Sequence, residues 1–212
     1  VENFMCSKQW NDIIYNTVPS VAMNIYKKAF AKHSPQNWSI YLNDLEEGKA
    51  NINVNTLFPH DIVKQVLNDH DLILLEDDEQ RILDQQWKSL PNYMENNPLK
   101  ILPVVDVSGS MYGGSNIKPI VPAISLGLYI AEKNKGIFHN AFITFSEEPE
   151  LVLIPEGNLC DKLNHMISSL WGYNTNFVNV FKLVLDNAVL HNISQEEMPN
   201  CILVLSDMEF DQ

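Results

Sequence analysis

The chain has 212 residues, 45% hydrophobic and 19% charged, with 14 basic against 27 acidic side chains and a formal net charge of −13. That apolar content excludes a disordered chain, and no stretch approaches the roughly 18 uninterrupted apolar residues of a membrane-spanning helix. The negative balance, with Arg81 the sole arginine, excludes broad adhesion to nucleic acid or anionic lipid and makes bidentate phosphate clamps scarce. Cys6, Cys160 and Cys201 are widely spaced and form no C-x-x-C pair, so they read as free thiols in a reducing setting. Val1–Trp10 carries no basic stretch followed by an apolar run, so no signal peptide is expected and a cytoplasmic location follows. The first residue is not methionine, which points to a piece of something longer.

From Pro19 to Lys32 apolar residues recur at helical spacing (Val21, Ala22, Ile25, Tyr26, Ala29, Phe30), with Pro19 suited to the first turn. His33-Ser34-Pro35 ends that helix and opens a second, in which Trp38, Tyr41, Leu42 and Leu45 share one face and Gly48 is the stop. Thr56-Leu57-Phe58-Pro59 reads as the cap and first turn of a third helix carrying Ile62, Val63, Val66 and Leu67. A fourth, acidic at its start (Glu76, Asp77, Asp78, Glu79), runs to about Lys88 and complements the helix dipole. Residues 1–98 are therefore expected to be an all-helical segment, closed by a linker over Leu90–Pro98. Nothing in it looks catalytic.

Strand and helix alternate from there on. Lys100–Val105 is a continuous apolar run, as a strand buried on both faces should be. Residues 117–132 show helical spacing, Phe138–Phe145 and Leu151–Ile154 read as strands, and Leu159–Leu170 and Phe177–Leu190 as helices. Cys201–Leu205 is another wholly apolar strand. The fold class is α/β: an open, Rossmann-like, mostly parallel sheet over residues 99–212, preceded by the helical segment.

In such a sheet ligands bind at the carboxyl ends of the strands, where strand order reverses. Three segments of this chain fall on that edge: Asp106-Val107-Ser108-Gly109-Ser110 after the first strand, Trp171 to Asn176 before a helix, and Ser206-Asp207 after the last strand. They offer carboxylates and hydroxyls, a donor set that suits a hard, oxygen-seeking cation. Mg²⁺ or Mn²⁺ fits best, with Ca²⁺ less favoured. The alternation D-x-S-x-S lets Asp106, Ser108 and Ser110 converge, with Gly109 permitting a tight turn. Neutral hydroxyls leave such an ion positive and open to an acidic ligand from outside. That favours a docking site for a partner's carboxylate over a hydrolytic centre.

D-V-S-G-S-M, a downstream threonine in a polar loop, and a strand ending in S-D together resemble the von Willebrand factor A domain. The resemblance implies a metal-ion-dependent adhesion site on Asp106, Ser108 and Ser110, then Thr175, then Asp207. Asn174 and Glu209 stand near enough in sequence to act from behind those ligands. The stretches I-T-F-S-E-E-P, W-G-Y-N-T-N-F and L-S-D-M-E-F-D look like an uncharacterised family that pairs such a domain with an upstream helical region. Y-K-K-A-F, Y-L-N-D-L-E-E-G-K and L-F-P-H-D-I-V resemble the helical part of Ro-type (TROVE) RNA-binding ring proteins. A complete A domain continues past Asp207, so the resemblance implies a domain incomplete at its C-terminal side, with Cys201–Leu205 at a sheet edge.

Plainer readings stand beside these. The Asp106 loop can be a polar turn whose serines cap the next helix. Ser110 fails as a nucleophile elbow because Ser108 occupies the place of a required glycine. Gly113-Gly114 lacks the Gly-Lys-Ser/Thr of a phosphate loop. Glu209 and Asp211 read equally as solvated loop charges, Trp171 as loop packing, and the six histidines show no metal-ligand spacing. Lys27, Lys28 and Lys32 cover one helix face, an ordinary solvated surface or a weak RNA contact. The expected function is a non-enzymatic binding module for a protein partner with an exposed carboxylate, without membrane or small-molecule cofactor. The alternative is an RNA-binding protein in which the α/β domain is scaffold or regulator.

Overall fold

The computed structural model describes residues 1–67, 72–113, 118–169 and 177–207. The chain divides into two compact units, Val1–Val66 with Ile73–Pro91, and Leu67–Leu72 with Asn92–Gln212.

The first unit is helical. It comprises α1 (Glu2–Cys6), α2 (Ser20–His33), α3 (Pro35–Glu46), α4 (Pro59–Val63) and α5 (Asp77–Lys88). Pro19 stands at the cap of α2 in extended backbone, one residue outside the helix, and Pro35 opens α3. Gly48 follows the end of α3 at φ +71° and donates its N–H to the Leu45 carbonyl, the left-handed stop that glycine supplies without strain. The third expected helix is shorter than its apolar spacing suggests. After Val63 the bonds tighten to three-residue turns, Gln65 to Ile62 and Val66 to Val63, which keep Val66 buried without continuing α4. Tyr15 centres the core, its ring 5.1–5.3 Å from those of Phe30, Trp38 and Tyr41. Arg81 on α5 makes a bidentate pair with Glu46 of α3 at 2.7 and 2.8 Å and a further bond to Asn43, so the sole arginine ties two helices together.

The second unit is α/β. Its strands are β1 (Ile101–Asp106), β2 (Ala141–Phe145), β3 (Leu151–Leu153) and β4 (Cys201–Leu205), and its helices α6 (Ile120–Lys133), α7 (Leu159–Ser168) and α8 (Phe177–Leu190). The sheet order is β3-β2-β1-β4. β1 is parallel to both neighbours and β3 returns antiparallel on β2. β1 is buried at every residue, as its unbroken apolar run requires. β2 begins at Ala141 rather than Phe138, because Gly136–Phe138 forms a tight turn and Asn140 adopts φ +58°. Among the described residues β4 pairs with β1 alone, and it is half-buried throughout.

Alternation along the strands builds two cores. Leu102, Val104, Ala141, Ile143, Phe145, Ile202 and Val204 face α8 through Val180 and Val184. Val105 and Leu205 face α6 and α7, where a Cβ on Gly127 would stand 2.5 Å from Val105 Cγ2. That glycine lets helix and sheet approach closely.

Candidate metal centre at the carboxyl ends of β1 and β4

The crossover through α6 carries the chain from β1 to β2 on one side, while β4 lies on the other. The strand order therefore reverses between β1 and β4, where an open α/β sheet leaves its binding crevice. Asp106 is the last residue of β1 and is fully buried. Its register partner on β2 is Phe145, and Val105 pairs with Leu205, so Ser206 emerges beside it.

Two neutral donors serve the Asp106 carboxylate. The Ser108 amide donates to Oδ1 at 2.9 Å and the Ser206 hydroxyl to Oδ2 at 2.6 Å. Each carboxylate oxygen keeps a further lone pair. Burying an ionised carboxylate is costly unless a cation or strong hydrogen bonds compensate it.

Beyond Asp106 the chain enters a 3₁₀ turn, Gly109–Tyr112, anchored by the buried Met111. Ser108 holds the cap position of this turn, but its side chain makes no capping bond. Its Oγ instead lies 3.0 Å from Ser110 Oγ, both residues half-buried. The plain capping role for Ser108 therefore does not hold. Gly109 adopts no positive φ, and a Cβ there would meet nothing within 4 Å, so the turn does not demand glycine. Two oxygens bound cis on an octahedral Mg²⁺ at about 2.0–2.1 Å lie roughly 2.9–3.0 Å apart. The two hydroxyls already have that separation, held by a hydrogen bond that a cation would replace. A buried carboxylate with two hydroxyls on the loop after it offers the oxygen donor types that a hard divalent ion takes. Among the described residues no three His, Cys, Asp or Glu side chains gather as a metal site; the donors here are chiefly hydroxyls.

Asp207 is half-buried, two residues past the end of β4. α8 begins at the same edge. The ring of Phe177 packs edge-on against Phe145 at 6.1 Å, and Asn179 donates to the Glu147 carbonyl at 2.9 Å. Thr175, Asn174, Trp171, Gly114, Glu209 and Asp211 lie outside the described residues. The geometry brings together Asp106, Ser108 and Ser110, and adds Ser206, which the expected ligand set omits. Its signal in the sequence is a hydroxyl residue directly after an apolar strand, but only the parallel register shows that it meets Asp106.

In the helical unit the three lysines do not form one solvated face. Lys27 is buried, 6% exposed, donating to Gln65 Oε1 at 2.9 Å and standing 3.7 Å from Glu79. Burial lowers its pKa, against the pull of Glu79. Lys28 is exposed and pairs with Glu79 at 3.3 Å; Lys32 is exposed. A cleft of about 570 Å³ beside them is also lined by Glu76, Asp77, Asp78 and Glu79.

Residues 100–212 match a family described as a domain of unknown function, DUF7788. Residues 1–98 match another such domain, DUF2828. The chain is 31% identical over 227 aligned residues to an uncharacterized protein of Acanthamoeba polyphaga mimivirus, an alignment covering all of the chain and 38% of that protein. The chain therefore spans well under half the length of that relative. No solved structure matches it significantly.

Proposed function

This chain belongs to the DUF7788 family, and we propose that its α/β unit is a metal-dependent binding module of the von Willebrand factor A type that captures an acidic group on a protein partner. The observation that carries the reading is the buried Asp106 at the β1/β4 reversal, with the Ser108 and Ser110 hydroxyls 3.0 Å apart beside it. Asp106, Ser108 and Ser110 would hold Mg²⁺ or Mn²⁺, joined by Thr175 and Asp207 from the neighbouring segments, with Asn174 and Glu209 behind them. Bound there, the ion supplies a positive centre with an open position for an external carboxylate.

The residues divide the work by burial. Asp106 supplies negative charge from within the sheet, held in place by Ser108 and Ser206. The two hydroxyls are neutral donors, so they leave the cation's charge largely uncompensated toward the solvent side.

RNA binding through Lys27, Lys28 and Lys32 gains no support, because Lys27 is committed internally and acidic residues wall the adjoining cleft. Mn²⁺ titration followed by electron paramagnetic resonance tests the proposal. Wild type should take up one ion that Mg²⁺ displaces, and a Ser108→Ala/Ser110→Ala variant with an unchanged fold should lose it. Equal uptake by the two proteins would refute the assignment.

A further inference from the structure

Helix α8 is apolar on both of its faces. One face carries Val180 and Val184 into the sheet core. Another stripe exposes Val178, Phe181, Leu185 and Val189, with Val178 75% and Val189 79% accessible. An amphipathic helix on a sheet needs one apolar stripe, and a helix apolar all round is one that is covered all round. Among the described residues nothing covers this second stripe.

We propose that this stripe is the interface of a two-fold homodimer in which α8 packs antiparallel against α8 of a second copy. A two-fold axis perpendicular to a helix reverses its direction, so each flank of the helix meets the same flank of its partner. The exposed residues of α8 are arranged to suit that reversal about the level of Val184. Val178 and Val189 lie almost equally far on either side, and Phe181 and Leu185 flank the centre. The only charged residues of the helix, Lys182 and Asp186, sit two positions before and two after Val184. The reversal places each Lys182 opposite Asp186 of the second copy, giving two identical ion pairs bordering an apolar seam. A parallel two-fold pair puts this flank on opposite sides of the seam, so the ion pairs form only in the antiparallel arrangement.

A helix of 14 residues is about 21 Å long. Such a seam is smaller than the roughly 800 Å² per partner of a standard stable interface. The dimer is therefore a weak one, with dissociation in the micromolar range.

Sedimentation velocity over about 5–200 µM tests this, bracketing micromolar affinity. Wild type should shift from monomer to dimer across that range, and Leu185→Asp and Val189→Lys should each remain monomeric with unchanged circular dichroism. Lys182→Asp alone should weaken association about tenfold, through two lost pairs of modest strength. The double exchange Lys182→Asp/Asp186→Lys should restore it to within about threefold, since both pairs re-form with their signs reversed. A wild type that stays monomeric throughout overturns the proposal and leaves the stripe to another segment or another protein. A dimer that survives both apolar-to-charged variants, or one that the double exchange fails to restore, overturns it as well.

Discussion

Replacing Ser206 by alanine removes one hydroxyl and tests how Asp106 is held. The Ser206 hydroxyl donates to Asp106 Oδ2 at 2.6 Å, and the carboxylate is fully buried. A hydrogen bond to a charged group is worth about 1.5–3 kcal/mol, and the alanine leaves a buried acceptor without its donor. Among the described strands β4 pairs with β1 alone, so the bond also fastens an edge strand. We expect Ser206→Ala to cost about 2 kcal/mol, lowering the unfolding midpoint of the α/β unit by roughly 8 °C. Ser206→Thr, which keeps the hydroxyl at a half-buried position, should recover most of this. The assay is calorimetric unfolding in EDTA, so that no metal contributes. An Asp106→Asn/Ser206→Ala double variant should be less destabilised than the two single losses together, with a coupling of at least about 1 kcal/mol for groups in contact. A Ser206→Ala protein within about 0.5 kcal/mol of wild type, or strict additivity, would refute the reasoning.

Other expectations concern the framework. Gly127→Ala places a methyl 2.5 Å from Val105 Cγ2; the overpacking cost of about 1–3 kcal/mol should outweigh the gain of about 1 kcal/mol in helix propensity. Val105→Ala in the same protein should relieve the clash, and denaturant titration of the four variants reads the coupling. Arg81→Lys forfeits the bidentate fork and should cost up to about 1 kcal/mol, as partly exposed pairs do. The hydrogen bonds from Arg81 hold the Glu46 carboxyl below its ordinary pKa. Its contribution is thus present above about pH 4.3, the unfolded value, and is lost as pH falls through the folded value. Acid titration of wild type should show that loss, and Arg81→Lys should flatten it. At the alkaline end, burial pushes the Tyr15 and Tyr41 phenols up. The folded state then keeps protons that the unfolded chain releases above about pH 10, and stability should fall as pH rises past that point.

Much of the fold is legible in the residues because periodicity and stop signals are local. Phe177–Leu190 and Cys201–Leu205 emerge with the bounds that their apolar patterns set, and Pro35 and Gly48 mark the ends of α3. What spacing cannot convey is how a turn closes. Val66 keeps its apolar place after α4 ends, because three-residue turns carry it inward. Lys27 shares a helix with Lys28 and Lys32, yet its burial is decided by Gln65 and Glu79, each more than 35 residues away. At the candidate site, D-x-S-x-S announces three oxygen donors on one loop, and the loop sets the two serine hydroxyls 3.0 Å apart. Ser206 is different: its meeting with Asp106 depends on a parallel register between strands 100 residues apart. Such registers are set by tertiary packing rather than by local pattern.

The proposed function stands on a divalent ion held at the end of β1. Thermal unfolding of wild type and Asp106→Ala, each in EDTA, Mg²⁺, Mn²⁺ and Ca²⁺, tests it most directly. At about 100 times the dissociation constant, a bound ion stabilises the folded state by about 2.7 kcal/mol. The midpoint should rise by several degrees with Mg²⁺ or Mn²⁺ in wild type alone. Midpoints that are equal in every condition, or a rise of the same size in Asp106→Ala, would contradict it.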